Sequence, residues 1–291
     1  MSNSTSKSPS VPDFLAKKNA HPRDAYIEFD EGPHIYTVHG QQGYTSVTTL
    51  NHAHFAEFDA EGELDRIMKG KRIRDDPTYN YYGMTRDQIR EMWDNNRNEA
   101  SRAGTKMHYD IECFYNEMAV VNDSDEYRFF QKFVMDFPEL KAYRTEWMIY
   151  DEELKLAGSI DMVFELPDGT LQIYDWKRSK VFNYGDEGWR PKYAKTDCIR
   201  HLPDANFWHY SLQLNTYKTI LEKKYGRQIS GLYLVRLHPD NPAKTYERVE
   251  VPFLEKEMAD LFELRRAQVA SKFSGLRSAS KCFEVLRSAS K

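Results

Sequence analysis

The chain has 291 residues, of which 40% are hydrophobic, so it is long enough to bury a sizeable core. Its formal net charge of −4 excludes attraction of nucleic acid by the field of the whole molecule, so a polyanionic partner would have to meet a local basic patch. Three scattered cysteines without a Cys-x-x-Cys pair argue against a disulfide scaffold or a zinc ribbon and indicate a reducing compartment.

The two ends of the chain are predicted to lie outside the folded domain. Residues 1–24 are rich in Ser, Lys and Pro, which predicts disorder, and they lack the apolar run of a signal peptide. The sequence Leu-Arg-Ser-Ala-Ser-Lys occurs at 276–281 and again at 286–291, which indicates a basic helical or disordered tail over residues 275–291. No apolar run could cross a bilayer, so we expect a soluble intracellular protein, cytoplasmic or nuclear, without a membrane partner.

Between these ends we expect a single domain over residues 25–274. Its first part, residues 25–99, is predicted to combine a small antiparallel β element with helices, because alternating runs give way to helical periodicity. The central sheet is predicted to lie within residues 100–252, and residues 253–274 to form a final helix.

The helical region before the sheet contains a predicted boundary. Thr85 is a predicted N-cap, whereas Gly104 and Thr105 are predicted to interrupt the helical pattern, so that a new helix starts at Lys106. A further helix is predicted around residues 126–137.

The sheet itself is predicted from three successive strands that form an antiparallel meander. These strands are predicted over residues 143–150, 154–166 and 170–177. A long loop, a helix and two further strands are predicted over residues 181–206, 207–225, 230–237 and 244–251. The order helix, three strands, helix, strand indicates an α/β fold of the α+β type.

The last two strands of the meander carry the strongest functional signal. Residues 167–169, Pro-Asp-Gly, are a turn signal between two apolar runs and predict a β-hairpin. Period-two alternation puts Asp175 and Lys177 on one face of the second strand and turns Trp176 away. If Asp161 faces the same side, two carboxylates converge, an arrangement that is costly without a divalent cation such as Mg²⁺ or Mn²⁺.

A histidine and two further acids could join this site. His108 and Glu112 are one helical turn apart and share a helix face, so an imidazole and a carboxylate could meet the hairpin. A histidine of this kind is more often an ordinary surface or core residue. Glu146 could support the ligands from outside, and a solvated carboxylate at a strand end is an equal alternative.

Gln213 and Tyr217 lie four residues apart on a predicted helix and share a face. Their amide and hydroxyl groups could hold a phosphate or orient Lys177 without adding charge. Ordinary helix amphipathicity is the alternative explanation.

Basic and aromatic residues are interleaved around the long loop. The basic residues are Arg178, Lys180, Lys192, Lys195 and Arg200, and the aromatic ones are Tyr184, Trp189 and Tyr193. Such a composition suits a groove that follows phosphates and stacks bases. A solvated loop with a few anchoring aromatic residues would have the same composition.

In order and spacing, these motifs resemble the RecB-like branch of the PD-(D/E)XK nucleases. The matching features are Gly-Thr-x-x-His ending at His108, Glu112, Glu146, Gly-Ser-Ile-Asp ending at Asp161, Asp-Trp-Lys at 175–177, and Gln213-x-x-x-Tyr217. Asp-Trp-Lys-Arg-Ser-Lys and His-Leu-Pro-Asp at 201–204 are also similar to stand-alone nucleases of large DNA viruses. The four cysteines of the iron–sulfur members and a phosphate-binding loop of a fused helicase are missing from this sequence.

The resemblance implies a restriction-endonuclease-like αβββαβ core with a mixed central sheet flanked by helices. It implies that His108, Asp161, Asp175 and the Trp176 carbonyl bind Mg²⁺ or Mn²⁺, and that Lys177 positions or activates water. It also implies that Gln213 and Tyr217 contact the substrate.

The expected activity is metal-dependent hydrolysis of DNA, by an exonuclease that acts on ends or single strands in replication, recombination or repair. Two alternatives stay open: a catalytically inactive nucleic-acid-binding module with the same fold, and a structural or interaction protein that binds metal.

Overall fold

The computed structural model describes the backbone of residues 11–185 and 191–288, and the side chains within these ranges up to residue 271. The helices are α1 (Phe14–Lys18), α2 (Val47–His52), α3 (Ala60–Lys69), α4 (Arg72–Asp75), α5 (Arg86–Tyr115), α6 (Asp125–Asp136), α7 (Asn206–Lys224) and α8 (Glu255–Ser288). The strands are β1 (Ile27–Asp30), β2 (Ile35–Val38), β3 (Thr45–Ser46), β4 (Lys141–Asp151), β5 (Leu156–Glu165), β6 (Leu171–Lys177), β7 (Ile229–Arg236) and β8 (Glu247–Glu250). Short 3-10 helices span Pro22–Tyr26 and Asp197–Ile199.

The main sheet is mixed, as predicted. Strand β5 pairs antiparallel with β4 on one side. On its other side it pairs parallel with β3 at its start and antiparallel with β6 at its end. Strands β6 and β7 are parallel, and β8 closes the sheet antiparallel to β7. A separate hairpin of β1 and β2 confirms the small antiparallel element expected near the N-terminus.

Helices cover both faces of this sheet. Val163 packs with Leu214 of α7 in one hydrophobic core. The neighbouring Met162 faces the opposite way and packs with Phe130 of α6 and Trp176 in a second core. This alternation follows from the period of two along a strand, and it yields the three-layer arrangement of a mixed α/β fold.

The prediction of disorder over residues 1–24 is wrong where the structure describes this segment. Helix α1 buries Leu15, whose backbone N–H donates to Asn116 Oδ1 over 2.9 Å. The carboxylate of Asp24 accepts hydrogen bonds from Trp147 Nε1 and from Arg144. These partners lie more than 100 residues away, so the polar composition of the segment could not reveal them.

We expect Leu15→Ala to lower the free energy of unfolding by about 2–4 kcal/mol, because it removes a buried side chain and leaves a cavity. Chemical denaturation would measure the change. Val11→Ala is the matched control, since Val11 is 75% exposed, and we expect it to leave stability unchanged. Equal stability of both variants would contradict the packing of α1 against the domain.

Helix α5 agrees with one predicted boundary and differs from another. Thr85 caps α5 in a capping box with Gln88, as predicted. The predicted break at Gly104 and Thr105 is wrong, because α5 continues to Tyr115. A single helical glycine costs only about 1 kcal/mol, which tertiary packing overcomes.

Parts of three predictions lie outside the described residues, among them residues 1–10 of the segment predicted to be disordered. Trp189 falls in the segment 186–190, and the second Leu-Arg-Ser-Ala-Ser-Lys copy ends beyond Ser288. Helix α8 includes residues 276–281 of the first copy. Across the described chain, no helix is both long and apolar enough to cross a membrane.

Candidate metal centre

Three potential metal ligands converge where α5 crosses the sheet. His108 of α5 lies with Nδ1 3.5 Å from Asp161 Oδ2 of β5 and 3.7 Å from Glu146 Oε1 of β4. One ligand atom from each side chain lies within 4.8 Å of the others. Each side chain is partly exposed, so an ion could reach the group from solvent.

Glu146 occupies an unusual backbone position at this centre. The register pairs Thr145 with Met162 and Trp147 with Ile160, so Glu146 lies opposite Asp161. Its φ is +42°, in the left-handed region that residues other than glycine rarely adopt. The other five non-glycine residues with positive φ among those described lie in turns or bends, whereas Glu146 lies within a strand, where such strain can mark a functional position. Glu146 is predicted from sequence only to support the ligands, whereas in the structure its Oε1 lies 3.7 Å from His108 Nδ1.

Strand β6 supplies the second part of the site. Asp175 and Lys177 lie on the same face, with Lys177 Nζ 2.7 Å from Asp175 Oδ2, while Trp176 is buried in the opposite core. The pairing of β5 with β6 stops at Met162 and Tyr174, so Asp161 and Asp175 occupy the next positions. There the backbone N–H of Trp176 donates to Asp161 Oδ2 over 3.0 Å.

The Asp175 carboxylate is buried and incompletely satisfied. Asp175 is 2% exposed, and its Oδ1 accepts no hydrogen bond from the described residues. Its Oδ2 lies 2.7 Å from Lys177 Nζ in an ion pair. A buried carboxylate in this state is costly, and a nearby cation would lower the cost.

The electrostatics of the site follow from burial and crowding of acids. Burial, and then the neighbouring Asp161 carboxylate, raise the pKa of Asp175 to about 7. Burial also raises the pKa of Asp161. Burial lowers the pKa of His108, but the charges of Asp161 and Glu146 outweigh this effect and raise it to about 9. Burial and Glu146 raise the pKa of Glu112 to about 7.

These side chains suit a hard divalent cation. Carboxylate oxygens are the ligands that Mg²⁺ and Mn²⁺ prefer, and the imidazole nitrogen favours Mn²⁺. His108, Glu146 and Asp161 could hold the ion directly. Asp175 lies next to Asp161 on the paired strand, outside this cluster of three, with Oδ1 unpaired among the described residues. Glu112 is one helical turn from His108 and lines a cavity of about 540 Å³ with Glu146 and the N-terminal segment.

Gln213 and Tyr217 of α7 are joined by a hydrogen bond from Gln213 Nε2 to the Tyr217 hydroxyl, 3.1 Å long. Tyr217 is buried against Gly158 of β5, where an added Cβ would lie 2.8 Å from Tyr217 Cε1. Burial raises the pKa of Tyr217 well above its usual value, so the hydroxyl stays protonated as a hydrogen-bond donor. Gly158 therefore lets α7 approach the strand that carries Asp161.

Gly158→Ala is expected to lower stability by about 1–3 kcal/mol and to disturb the site, because the new methyl group displaces Tyr217. Thermal unfolding and metal-binding calorimetry would measure the two effects. Gly104→Ala is the matched control, since nothing lies within 4 Å of the Cβ it would add. We expect that control to gain about 0.5–1 kcal/mol from helix propensity. Normal metal binding by Gly158→Ala would contradict the positioning role.

Tyr210 was missed by the sequence analysis. Its ring lies beneath Lys177, with Nζ 4.5 Å from the ring centroid, a cation–π distance. It lies one helical turn before Gln213 and two before Tyr217, so the three side chains share a face of α7. Helical spacing from Gln213 was the available signal, but only the tertiary structure shows that Lys177 reaches this ring.

The predicted substrate-binding basic residues have different surroundings. Arg178 is 12% exposed and forms ion pairs with Glu126 and Glu99, so its charge is compensated within the protein. Lys180 is exposed and pairs with Asp240 over 3.3 Å. Of the remaining three, Lys192 and Lys195 are exposed on the loop before the Asp197–Ile199 turn, and Arg200 forms an ion pair with Asp197. Arg178 thus joins α5 and α6 to β6, whereas the lysines lie at the surface.

No protein-family model matches the chain, and no curated protein matches it. Among solved structures it is similar to a protein from Eubacterium rectale named "Putative exonuclease", at 10% identity and a TM-score of 0.28. That similarity covers 54% of this chain and 69% of the other. The chemistry of the site must therefore be inferred from its own side chains.

Proposed function

We propose that the chain is a Mg²⁺- or Mn²⁺-dependent nuclease that hydrolyses phosphodiester bonds in DNA, with a RecB-like PD-(D/E)XK core. One observation carries the proposal: the cluster of His108, Glu146 and Asp161 lies beside the buried pair of Asp175 and Lys177. Ends or single strands are the proposed substrates, in replication, recombination or repair. A virus-type stand-alone enzyme fits the same motifs.

The proposed roles follow from the chemistry of each group. His108, Glu146 and Asp161 would hold the ion, together with Asp175 and the Trp176 carbonyl. When bound, the ion would polarise a phosphate and lower the pKa of a water molecule. Gln213 and Tyr217 would donate hydrogen bonds near the scissile phosphate, and Glu112 would shape the approach from the N-terminal side.

Lys177 is proposed to act as a fixed positive charge. Burial lowers the pKa of Lys177, but Asp175 and Asp161 outweigh this effect and raise it above its usual value. A lysine that stays protonated cannot accept a proton from water. It can stabilise the negative charge that develops on the phosphate oxygens in the transition state, where fixed charges have a large effect. The Tyr210 ring would hold the ammonium group in place.

Digestion of labelled DNA tests the activity. Linear single-stranded, linear duplex and circular substrates would be incubated with Mg²⁺, with Mn²⁺ or with EDTA, with either end blocked in parallel reactions. Metal-dependent loss of linear substrates, with circles left intact, is the expected result. Binding without cleavage in both metals would instead indicate the inactive nucleic-acid-binding alternative.

A second measurement tests the ligands without depending on activity. Asp161→Asn is expected to weaken Mn²⁺ binding in calorimetry by about tenfold or more, since it removes one charged ligand. Asp168→Asn is the control, because that residue lies in the hairpin turn and interacts with Thr170. Unchanged Mn²⁺ affinity in Asp161→Asn would remove Asp161 from the ligand set.

A further inference from the structure

A cavity of about 620 Å³ lies between α3, α5 and the segment before α3, away from the metal centre. Phe58, Tyr81 and Trp93 line it. Phe58 is 74% exposed, and its ring lies 6.2 Å from the Trp93 ring, edge to face. Trp93 Nε1 donates to the Tyr81 hydroxyl over 3.1 Å, which fixes the indole. One exposed ring, Phe58, beside the two half-buried rings offers a flat apolar face to a ligand.

This cavity adjoins another one along α5. It shares Asn96 and Arg97 with a second cavity of about 570 Å³, which is lined by Arg178 and Lys180 beyond the end of β6. Arg178 directly follows Lys177 in the chain. The two adjoining cavities thus define a path along α5 that ends at the residues following Lys177.

The charges along this path change in character. In the aromatic cavity Arg90 pairs with Glu61, so a neutral group suits that end. In the second cavity the cations are Arg97, Arg178 and Lys180. Arg97 and Lys180 pair with the exposed acids Asp94 and Asp240, which a phosphate could replace, whereas Arg178 is held by Glu126 and Glu99. The neutral aromatic surface at one end suits a nucleobase. The basic groups at the other end suit the phosphates of the nucleic-acid backbone.

Helix geometry sets the distance. An α-helix rises about 1.5 Å per residue, so Trp93 lies about 22 Å along α5 from His108. Stacked nucleotides rise about 3.4 Å each, so the path would hold about six of them, or fewer if they are unstacked.

We infer that the aromatic cavity of Phe58, Tyr81 and Trp93 binds an unstacked nucleobase of a single-stranded nucleic acid whose phosphates contact Arg97 and Lys180, towards the end of β6 that carries Lys177. The inference rests on the proposed nuclease function and assigns a single strand as its substrate. Duplex DNA would not fit this site, because its bases are already stacked and paired.

The test compares binding with and without bases at constant charge. Wild-type protein in EDTA at low salt would be titrated against labelled twelve-residue oligothymidylate and against an abasic oligomer of the same length. Phe58→Ala is expected to weaken binding of oligothymidylate at least about fivefold, as for one lost stacking contact, and to leave the abasic oligomer unaffected. Because Phe58 is largely exposed, this substitution should leave the fold intact.

Two further variants make the result specific. Trp93→Phe should retain most of the affinity, since a ring is kept. Phe253→Ala should bind as wild type, because Phe253 is 45% exposed but lines neither cavity. An equal loss for both oligomers, or no loss for either, would overturn the inference.

The outcome is separable from that of the proposed function. Metal-dependent cleavage with no effect of Phe58→Ala on binding would refute the base site alone. A base-dependent effect of Phe58→Ala in a protein that never cleaves DNA would refute the nuclease and retain the site.

Discussion

Asp175→Asn is expected to lower metal-dependent cleavage by about two to three orders of magnitude. Asparagine keeps the size of the side chain but cannot supply a negative charge to a cation. It also removes the carboxylate that lies 2.7 Å from Lys177 Nζ, so the ammonium loses its nearest fixed partner. Initial rates of cleavage in Mg²⁺ and Mn²⁺, with circular dichroism to confirm folding, would measure the effect.

Asp151→Asn is a matched control for this substitution. Asp151 is also 2% exposed on a strand of the same sheet, but its carboxylate accepts the Leu154 N–H and lies near Lys224. We expect this variant to lose stability through the weakened turn and to cleave as wild type. Comparable loss of cleavage in both variants would mean that buried charge in the sheet, and not the site, determines activity.

Lys177→Ala should cause a similar loss of cleavage while Mn²⁺ still binds. The Lys177 ammonium stabilises negative charge in the transition state and does not coordinate the metal. Metal affinity should therefore stay the same, or rise because the repulsion between the ammonium and the metal cation is removed. Full activity of this variant would refute the proposed role.

Metal affinity is expected to rise steeply with pH between about 6 and 9. The pKa of His108 is raised to about 9 and that of Asp175 to about 7, so at neutral pH the ion must displace protons to bind. Each displaced proton contributes up to about tenfold in affinity per pH unit. Mg²⁺ calorimetry in buffers of different ionisation enthalpy would count the protons that are released.

His108→Ala provides the control for this dependence. In this variant, metal affinity should no longer rise with pH above about pH 7. The loss of metal affinity relative to wild type should be largest at pH 9. A metal affinity that stays constant over the whole range would contradict the protonated state inferred for the free site.

Stability without metal should show the opposite trend. A group whose pKa is raised by folding stabilises the fold below its unfolded pKa, and this contribution is lost as the pH rises through the folded pKa. For Asp175 the loss extends from about pH 4 to about 7, and for His108 from about 6.5 to about 9. In EDTA, Asp175 and His108 should therefore make the free energy of unfolding lower at pH 8 than at pH 5.5. Added Mn²⁺ should restore the free energy of unfolding at pH 8.

The sequence alone determined most of the central meander. Strands β4, β5 and β6 and the turn at residues 167–169 could be predicted because alternation and turn chemistry depend on neighbours a few residues apart. The same local rule placed Asp175 and Lys177 on one face. Helix α7 was predictable for the same reason, and so was the shared face of Gln213 and Tyr217.

Tertiary structure alone decided how these elements meet. The left-handed backbone of Glu146, the ordered α1 against Asn116, and the ion pairs of Arg178 all depend on residues that are distant in the chain. So does the continuity of α5, where packing outweighs the weak helix propensity of Gly104. Local sequence patterns determine which face of a strand or helix a side chain lies on. The burial of a site and the charges around it depend on contacts between residues that are distant in the chain, and a short stretch of sequence does not contain those contacts.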